Sequence, residues 1–339
     1  MEFKNTLLNE IIKNNYFTKQ RAKKLIAIIS LTDAACYFDK DGTARWILMT
    51  SPEIILHKFV FDLFKFGFNM ELPTFYKTRN KIYKSTELDG KGYCFVLNNL
   101  FKFSSSFKKF PSRSTAQNKD SYLKEPQPSL DFIFNEPKWF KILCLRIAMS
   151  LEGSIITKFM VKRKRYKEKT YYQFQFEPVL ELACTHPNLV NSWKKLFEEI
   201  NLNMKEKYDK RSWKGLIGLR TSNKNSILKF VELGGFLFDL KINKSPPTAL
   251  ISNNRFSKQV ILNTIIEILK KYPRSFHFKS KIEAKKFRIK FIQDIYIKTR
   301  KKNNGHARIR TGDLPVISFN SKSFGCSNQA KLRAREDDY

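Results

Sequence analysis

Apolar and polar residues recur along this chain with two periods, and each period predicts one kind of element. Residues 19–32 and 139–151 place apolar side chains at helical spacing, whereas the runs after each of them alternate as strands do. In both places a second helix and further strand-like residues follow. The order α, β, β, α, β, β is therefore predicted twice, which indicates an α+β fold with an internal duplication.

Landmarks in the two copies match in the same order. Pro52 and Pro187 open corresponding helices, where proline is favoured in the first turn. Lys91 and Lys214 each precede a glycine and a strand-like run in corresponding places. The hairpin at 154–185 is longer than its counterpart, so the second copy is predicted to carry a lengthened hairpin.

Composition shifts divide the chain into six predicted segments. They are an N-terminal helical extension at 1–18, a first half at 19–103, a linker at 104–138, a second half at 139–245, a basic helical extension at 246–302 and a tail at 303–339. The linker is rich in Ser, Pro, Lys and Gln, and the tail lacks apolar periodicity, so we expect the tail to be disordered. The tail also contains "ARIRTGDL", which resembles a translation of the antisense strand of a transfer-RNA gene. The helical extension is either a packing clamp or a further nucleic-acid contact.

Charge indicates the class of partner. The chain has 64 Lys and Arg against 31 Asp and Glu, a net charge of +33, which is typical of a protein that binds a polyanion. No apolar run reaches membrane-spanning length, and the N-terminus lacks a signal-peptide pattern. The five cysteines and four histidines are scattered, which disfavours disulfides and zinc. We expect nucleic acid as partner, no membrane, and an intracellular location in cytoplasm, nucleoid or organelle matrix.

Two predicted helices end on an acid. "IAIISLTDA" at 26–34 reaches Asp33, and "LRIAMSLEG" at 145–153 reaches Glu152. A single acid before small residues is an ordinary helix end, but two such helices packed together bring two carboxylates close. Small residues are available for that contact, namely Ala27, Ser30, Ala148 and Ser150. Paired carboxylates favour a hard cation such as Mg²⁺, which can activate water and hydrolyse a phosphodiester.

These residues resemble the two motifs of the single-chain LAGLIDADG homing endonucleases, over about residues 19–245. The resemblance implies two pseudo-symmetric αββαββ halves that form a saddle on double-stranded DNA. It places Asp33 and Glu152 over the minor groove as metal ligands and catalytic groups, one for each strand. It also implies Mg²⁺ as cofactor, with Mn²⁺ able to substitute, a monomer, and an intron-borne mobile element.

The chain departs from the family pattern at two positions. Ala34 stands where the family has glycine, and Arg146 stands where a small residue is expected at the helix contact.

Further basic residues are candidates for function. Lys91 and Lys214 are candidate catalytic cations, since fixed positive charge stabilises a developing phosphorane, although lysines at strand starts are often simply solvated. The second hairpin carries a basic run predicted to contact DNA, with alternate side chains on opposite faces: Lys162, Arg163, Lys164 and Arg165. The alternatives for this run are a solvated surface and a hairpin tip that touches phosphates only.

Three functions are compatible with these features. The first is a metal-dependent, site-specific DNA endonuclease. The second is a non-cleaving protein on the same fold, either an RNA splicing maturase that binds intron RNA or a DNA-binding regulator. The third is a basic RNA-binding protein in which the duplicated pattern is coincidental. Both acids favour the first function, and the departures at Ala34 and Arg146 favour the second.

Overall fold

The described part of the chain combines two antiparallel sheets with flanking helices, which confirms the predicted α+β class. A computed structural model describes residues 17–32, 35–38, 44–51, 54–70, 76–77, 84–88, 128–184, 186–209, 216–237 and 256–303. The tail beyond residue 303, and most of the predicted N-terminal extension and linker, lie outside these residues. None of the helices described is both long and apolar enough to cross a membrane.

The first segment contains two helices and a four-stranded sheet. Its elements are α1 (Lys19–Thr32), β1 (Ala35–Phe38), β2 (Ala44–Ser51), α2 (Ile54–Phe68), β3 (Tyr76–Lys77) and β4 (Lys84–Leu88). The Thr18 hydroxyl accepts a hydrogen bond from the Arg21 backbone N–H at 3.2 Å, which caps the start of α1. The strands are antiparallel in the order β1-β2-β4-β3. Helices α1 and α2 pack against each other.

The second segment repeats this order of elements. After a short α3 (Asp131–Phe134) come α4 (Lys138–Leu151), β5 (Gly153–Tyr166), β6 (Lys169–Ala183), α5 (Pro187–Glu199), β7 (Lys205–Tyr208), β8 (Leu216–Thr221) and α6 (Lys224–Glu232). As predicted, α5 opens with Pro187. The strands lie in the order β5-β6-β8-β7, so the first two and last two strands of each segment occupy corresponding positions in its sheet.

Helices α1 and α4 contact each other and begin side by side. The Glu136 carboxylate, just before α4, accepts hydrogen bonds from Arg21 at 2.8 Å and from Lys24 at 2.6 Å. The Arg21 guanidinium also lies 5.2 Å from the centre of the Trp139 ring, in the first turn of α4. Both helices have 14 residues, and most of their side chains are buried. The two helices named by the acid-ended motifs therefore form a packed pair.

Arg146 and Ser150 of α4 both form hydrogen bonds with the segment that follows α6. The Arg146 guanidinium donates to the carbonyl oxygens of Gly234 at 2.8 Å and Gly235 at 3.0 Å. The Ser150 hydroxyl accepts a hydrogen bond from the Leu237 backbone N–H at 2.8 Å. The Ser150 hydroxyl is thus engaged by the segment after α6, and its predicted place at the helix contact stays a prediction. The Arg146 side chain also forms hydrogen bonds with this segment. Helix α4 nevertheless packs against α1.

The C-terminal extension packs against the apolar side of the second sheet. Its elements are α7 (Lys258–Lys271), β9 (Ser275–Phe278) and α8 (Lys281–Asn303). Both helices were predicted, whereas β9, which pairs with β6, was not. The Phe291 ring of α8 lies at the centre of an aromatic cluster, with centroids 5.2 to 6.4 Å from Phe159, Phe174, Phe176, Phe276 and Phe287. The extension is thus a packing clamp.

Replacing Phe291 with alanine should lower the free energy of unfolding by about 3–5 kcal/mol, because a buried ring is lost and a cavity remains. Phe291 is 6% exposed, whereas Ile282 in the same helix is 67% exposed. Ile282→Ala is therefore the matched control, with an expected change within about 0.5 kcal/mol. Chemical denaturation of both variants measures the difference. Equal effects would show that α8 does not clamp the sheet.

Candidate functional site

Glu152 lies where α4 turns directly into β5. Its backbone N–H donates to the Ala148 carbonyl at 2.9 Å, and its own carbonyl accepts from the Ala183 N–H at 3.2 Å. Gly153 follows because the turn leaves no room for a side chain. A Cβ atom there would lie 2.3 Å from the Met149 carbonyl oxygen. The glycine is therefore required by the close approach of the strand to the last turn of the helix.

The Glu152 carboxylate is half-buried and has no polar partner in the part of the chain that is described. Burial raises the pKa of this carboxyl above its usual value of 4.5, while the nearby charge of Lys258 acts in the opposite direction. No hydrogen bond or ion pair joins its side chain to another described residue. A carboxylate that is desolvated, close to one cation and still open to a ligand is a candidate functional group.

Lys258, the first residue of α7, binds the end of α4. Its ammonium donates to the carbonyl oxygens of Gly153 at 2.7 Å and Ser150 at 2.9 Å, and lies 3.5 Å from that of Leu151. The last carbonyls of a helix have no partner within the helix, and a cation there also complements the helix dipole. Lys258 is only 8% exposed, so it is a fixed positive charge beside Glu152.

Sequence reasoning missed Lys258. One signal was present, since a lysine in the first turn of a helix opposes the helix dipole and is favoured only when another partner holds its charge. The partner is 105 residues away at Gly153, so nothing local to the sequence identifies it.

The described residues offer Glu152 as a carboxylate ligand for a metal ion at this site. The nearby Cys184 thiol is unsuitable, because burial raises its pKa to about 12, with the charge of Glu152 adding to the effect. Among the residues described, no three His, Cys, Asp or Glu side chains lie close enough to hold a metal. Glu152 fits a hard cation as a single carboxylate ligand. Asp33 is the residue predicted as the second carboxylate ligand.

Three predicted site residues lie outside the described residues: Asp33, Lys91 and Lys214. Two of these residues, Asp33 and Lys214, lie within two residues of a described element. Helix α1 ends at Thr32, one residue before Asp33, and β8 begins two residues after Lys214. Asp33 and Glu152 thus each follow the last residue of a 14-residue helix, in a pair of helices that begin side by side.

The second sheet has one basic face. Residues paired across antiparallel strands share a face, so Lys158 lies with Glu177, Lys162 with Gln173, and Arg220 with Lys205. The other face carries the rings that pack under α8. We call the first of these the basic face; its cationic side chains are Lys158, Lys162, Lys164, Lys169, Lys205, Lys207 and Arg220.

The four residues predicted to bind DNA divide between the two sides of the hairpin. Lys162 and Lys164 lie on the basic face, whereas Arg163 and Arg165 point to the opposite side. All four are exposed. The predicted alternation is confirmed. The Lys162 ammonium also donates to the Gln175 side chain at 3.0 Å.

A cavity of about 610 Å³ opens where the basic face meets the start of α6. Four cationic side chains line it, with Glu177 as the one carboxylate: Lys158, Lys205, Arg220 and Arg274. The Arg274 guanidinium donates to the Ser222 carbonyl at 2.5 Å, and its Nε has no hydrogen-bond partner in the described structure. An excess of cationic donors around a polar cavity suits a phosphate group. Sequence reasoning missed all four residues.

Comparison with known proteins gives no assignment, since no family model matches the chain and no curated protein matches it significantly. The functional assignment therefore rests on the residues and their geometry.

Replacing Lys258 with methionine should lower the free energy of unfolding by about 2–4 kcal/mol, because it leaves buried helix carbonyls without a donor. Lys270→Met, at an exposed position late in the same helix, is the matched control and should change stability by less than about 0.5 kcal/mol. Lys258→Arg should recover part of the loss. Denaturant titration measures all three. A Lys258→Met variant as stable as the Lys270→Met variant would rule out this role.

Glu152→Gln should stabilise the fold at neutral pH. Because the folded pKa is raised, the unfolded carboxyl ionises first as pH rises above its usual value of 4.5, and ionised Glu152 then disfavours folding. Below that pH both states are protonated, so the variant and parent should converge. Unfolding free energies from pH 4 to 8 measure the trend. Glu232→Gln, at an exposed position, is the charge-matched control.

Proposed function

We propose that this protein is a single-chain, metal-dependent endonuclease of the LAGLIDADG type that cleaves double-stranded DNA at a specific site. The observation that carries the proposal is the helix pair. Helices α1 and α4 have the same length, contact each other, begin side by side, and are each followed directly by a carboxylate residue. The matching order of elements and strands supports two pseudo-symmetric αββαββ halves that together form a saddle.

Duplex DNA is the partner that the basic face favours. Its lysines and arginines lie on consecutive strands, and a major groove admits a β-ribbon whose alternate side chains reach base edges. The net charge of +33 supports a polyanionic partner. Because both proposed half-sites lie in one chain, we propose that the protein acts as a monomer.

The proposed cofactor is Mg²⁺, with Mn²⁺ able to substitute, held by Asp33 and Glu152. When bound, the ion supplies a Lewis acid that activates water and stabilises the leaving oxygen. Glu152 suits the role of ligand because its carboxylate makes no competing hydrogen bond with described residues, and Lys258 fixes the backbone on both sides of it. Lys91 and Lys214 are proposed to place positive charge near the reacting phosphate.

A non-cleaving maturase or regulator on the same fold is the second candidate. The specific observation that favours it is the environment of Glu152, because burial raises its pKa and so disfavours the ionised form that a metal needs. The basic face would bind nucleic acid equally well in a protein that does not cleave it.

Asp33→Asn and Glu152→Gln should each reduce Mg²⁺-dependent cleavage by at least about 100-fold while leaving DNA affinity within about threefold, since each removes a charge the metal requires. Duplexes are first selected from a randomised library by binding in Ca²⁺, and then tested for cleavage in Mg²⁺ and Mn²⁺. If each acid serves one strand, a single variant should leave nicks where the parent makes double-strand breaks.

Glu232→Gln is the charge-matched control, since Glu232 is exposed and its ion-pair partner among the described residues is Lys229, three residues away. It should cleave as the parent does. If the parent binds a selected duplex tightly and leaves it intact in both metals, or if Asp33→Asn cuts as fast as the parent, the non-cleaving function replaces the endonuclease.

A further inference from the structure

Strand β9 is an edge strand of the second sheet. It pairs with β6 and with no other strand in the described part of the chain. Just before β9, the Arg274 carbonyl accepts a hydrogen bond from the Phe176 N–H of β6 at 2.8 Å. Backbone groups of alternate residues point to opposite edges of a strand, so those of Ser275 and His277 point away from β6. Among the described residues these groups have no hydrogen-bond partner.

This outer edge of β9 is open to another chain. His277 and Lys279 are exposed, and Ser275 is half-buried. At the end of the strand, a cavity of about 1060 Å³ separates His277, Phe278 and Lys279 from the turn of the β5–β6 hairpin. An edge strand with free backbone donors and acceptors is a template on which an extended segment can pair.

The two sides of the edge differ in chemistry. On the side that faces α8, the rings of Phe276 and Phe278 have their centroids 4.6 and 5.2 Å from that of Phe287. All three rings are only half-buried, so apolar surface remains beside the edge. On the other side, His277 lies next to Gln173 of the basic face. A strand added here would meet apolar side chains on one side and polar side chains on the other.

Charge around the edge favours an acidic partner. Residues 271–290, which contain β9 and the start of α8, have eight Lys and Arg against a single carboxylate, that of Glu283. Lys271, Lys279 and Lys281 flank β9 in the sequence and are all exposed. Pairing with β9 of a second copy would bring these lysines against their counterparts, and like charges across strands are destabilising. An acidic strand has the complementary charge.

We propose that the outer edge of β9 binds an extended acidic segment of a partner protein, which joins the second sheet as a further antiparallel strand. Every strand pair described in this protein is antiparallel. The matching segment alternates apolar residues, which cover Phe276 and Phe278, with acidic residues on the side of His277. The inference goes beyond the proposed function, because neither DNA nor a metal takes part in this contact.

A blocked synthetic peptide of Glu-Val repeats is the probe, and calorimetric titration into the full chain measures its binding. Directly opposed residues share a face, so its glutamates lie opposite Ser275 and His277, and the glutamate N–H groups point to β9. Methylation of the glutamate amide nitrogens should weaken binding by at least about 10-fold, because it removes these donors. Methylation of the valine amide nitrogens, which point away from β9, is the matched control and should keep the affinity within about threefold.

His277→Pro tests the same contact from the side of the protein. Proline removes the outward N–H and is tolerated in an edge strand where that N–H faces solvent. The variant should bind the Glu-Val peptide about 5- to 10-fold more weakly, because one hydrogen bond is lost. His277→Val also lacks the imidazole but keeps the N–H, so it is the matched control and should bind within about threefold of the parent. Circular dichroism checks both folds, and the methylated peptides test the unaltered protein.

Three outcomes would overturn the proposal. The first is failure of the Glu-Val peptide to bind. The second is equal affinity for the two methylated peptides, or loss with the valine set instead, because charge alone or a different strand direction would then explain binding. The third is a concentration-dependent dimer in sedimentation that His277→Pro abolishes, which would make a second copy the occupant of this edge. None of these outcomes bears on duplex binding or cleavage.

Discussion

The structure depends on how the carbonyl oxygens at one buried helix end obtain hydrogen-bond donors. Helix α4 finishes inside the molecule, where its last carbonyl oxygens have neither intrahelical partners nor free access to water. Lys258 supplies the donors, with its ammonium on the carbonyls of Ser150 and Gly153. Gly153 permits the strand to leave at once, because a side chain there would collide with Met149. The position of Glu152 follows from these two contacts on either side of it.

The same constraint links the two ends of the second sheet. Lys258 opens α7, and the chain then continues through β9 to α8, where Phe291 packs under the long hairpin. One extension therefore binds the end of α4 and also packs against the long hairpin of β5 and β6. The proposed chemistry and the proposed DNA contact share a support that lies outside the repeated elements.

The sequence predicted what depends on local periodicity. Helix α4, the hairpin of β5 and β6, the opening of α5 by Pro187, and the opposite directions of Lys162 and Arg163 all follow from apolar spacing and strand alternation. Contacts between distant residues were not predictable in this way. The reach of Arg146 to Gly234, the pairing of β9 with β6, and the cavity around Arg274 each depend on segments brought together only by folding.

Glu152 also stands out against the charge of the chain as a whole. With 64 Lys and Arg against 31 Asp and Glu, cations are plentiful, and Glu136, Glu181 and Glu206 are each paired with one or more of them. Glu152 has no such partner among the described residues, although Lys258 lies close, because that ammonium is directed to the helix carbonyls. Its carboxylate is thus partly desolvated, and burial raises its pKa. Ionised Glu152 therefore lowers the stability of the folded state at neutral pH. Local packing alone does not require an acid at this position, whereas the proposed metal site does.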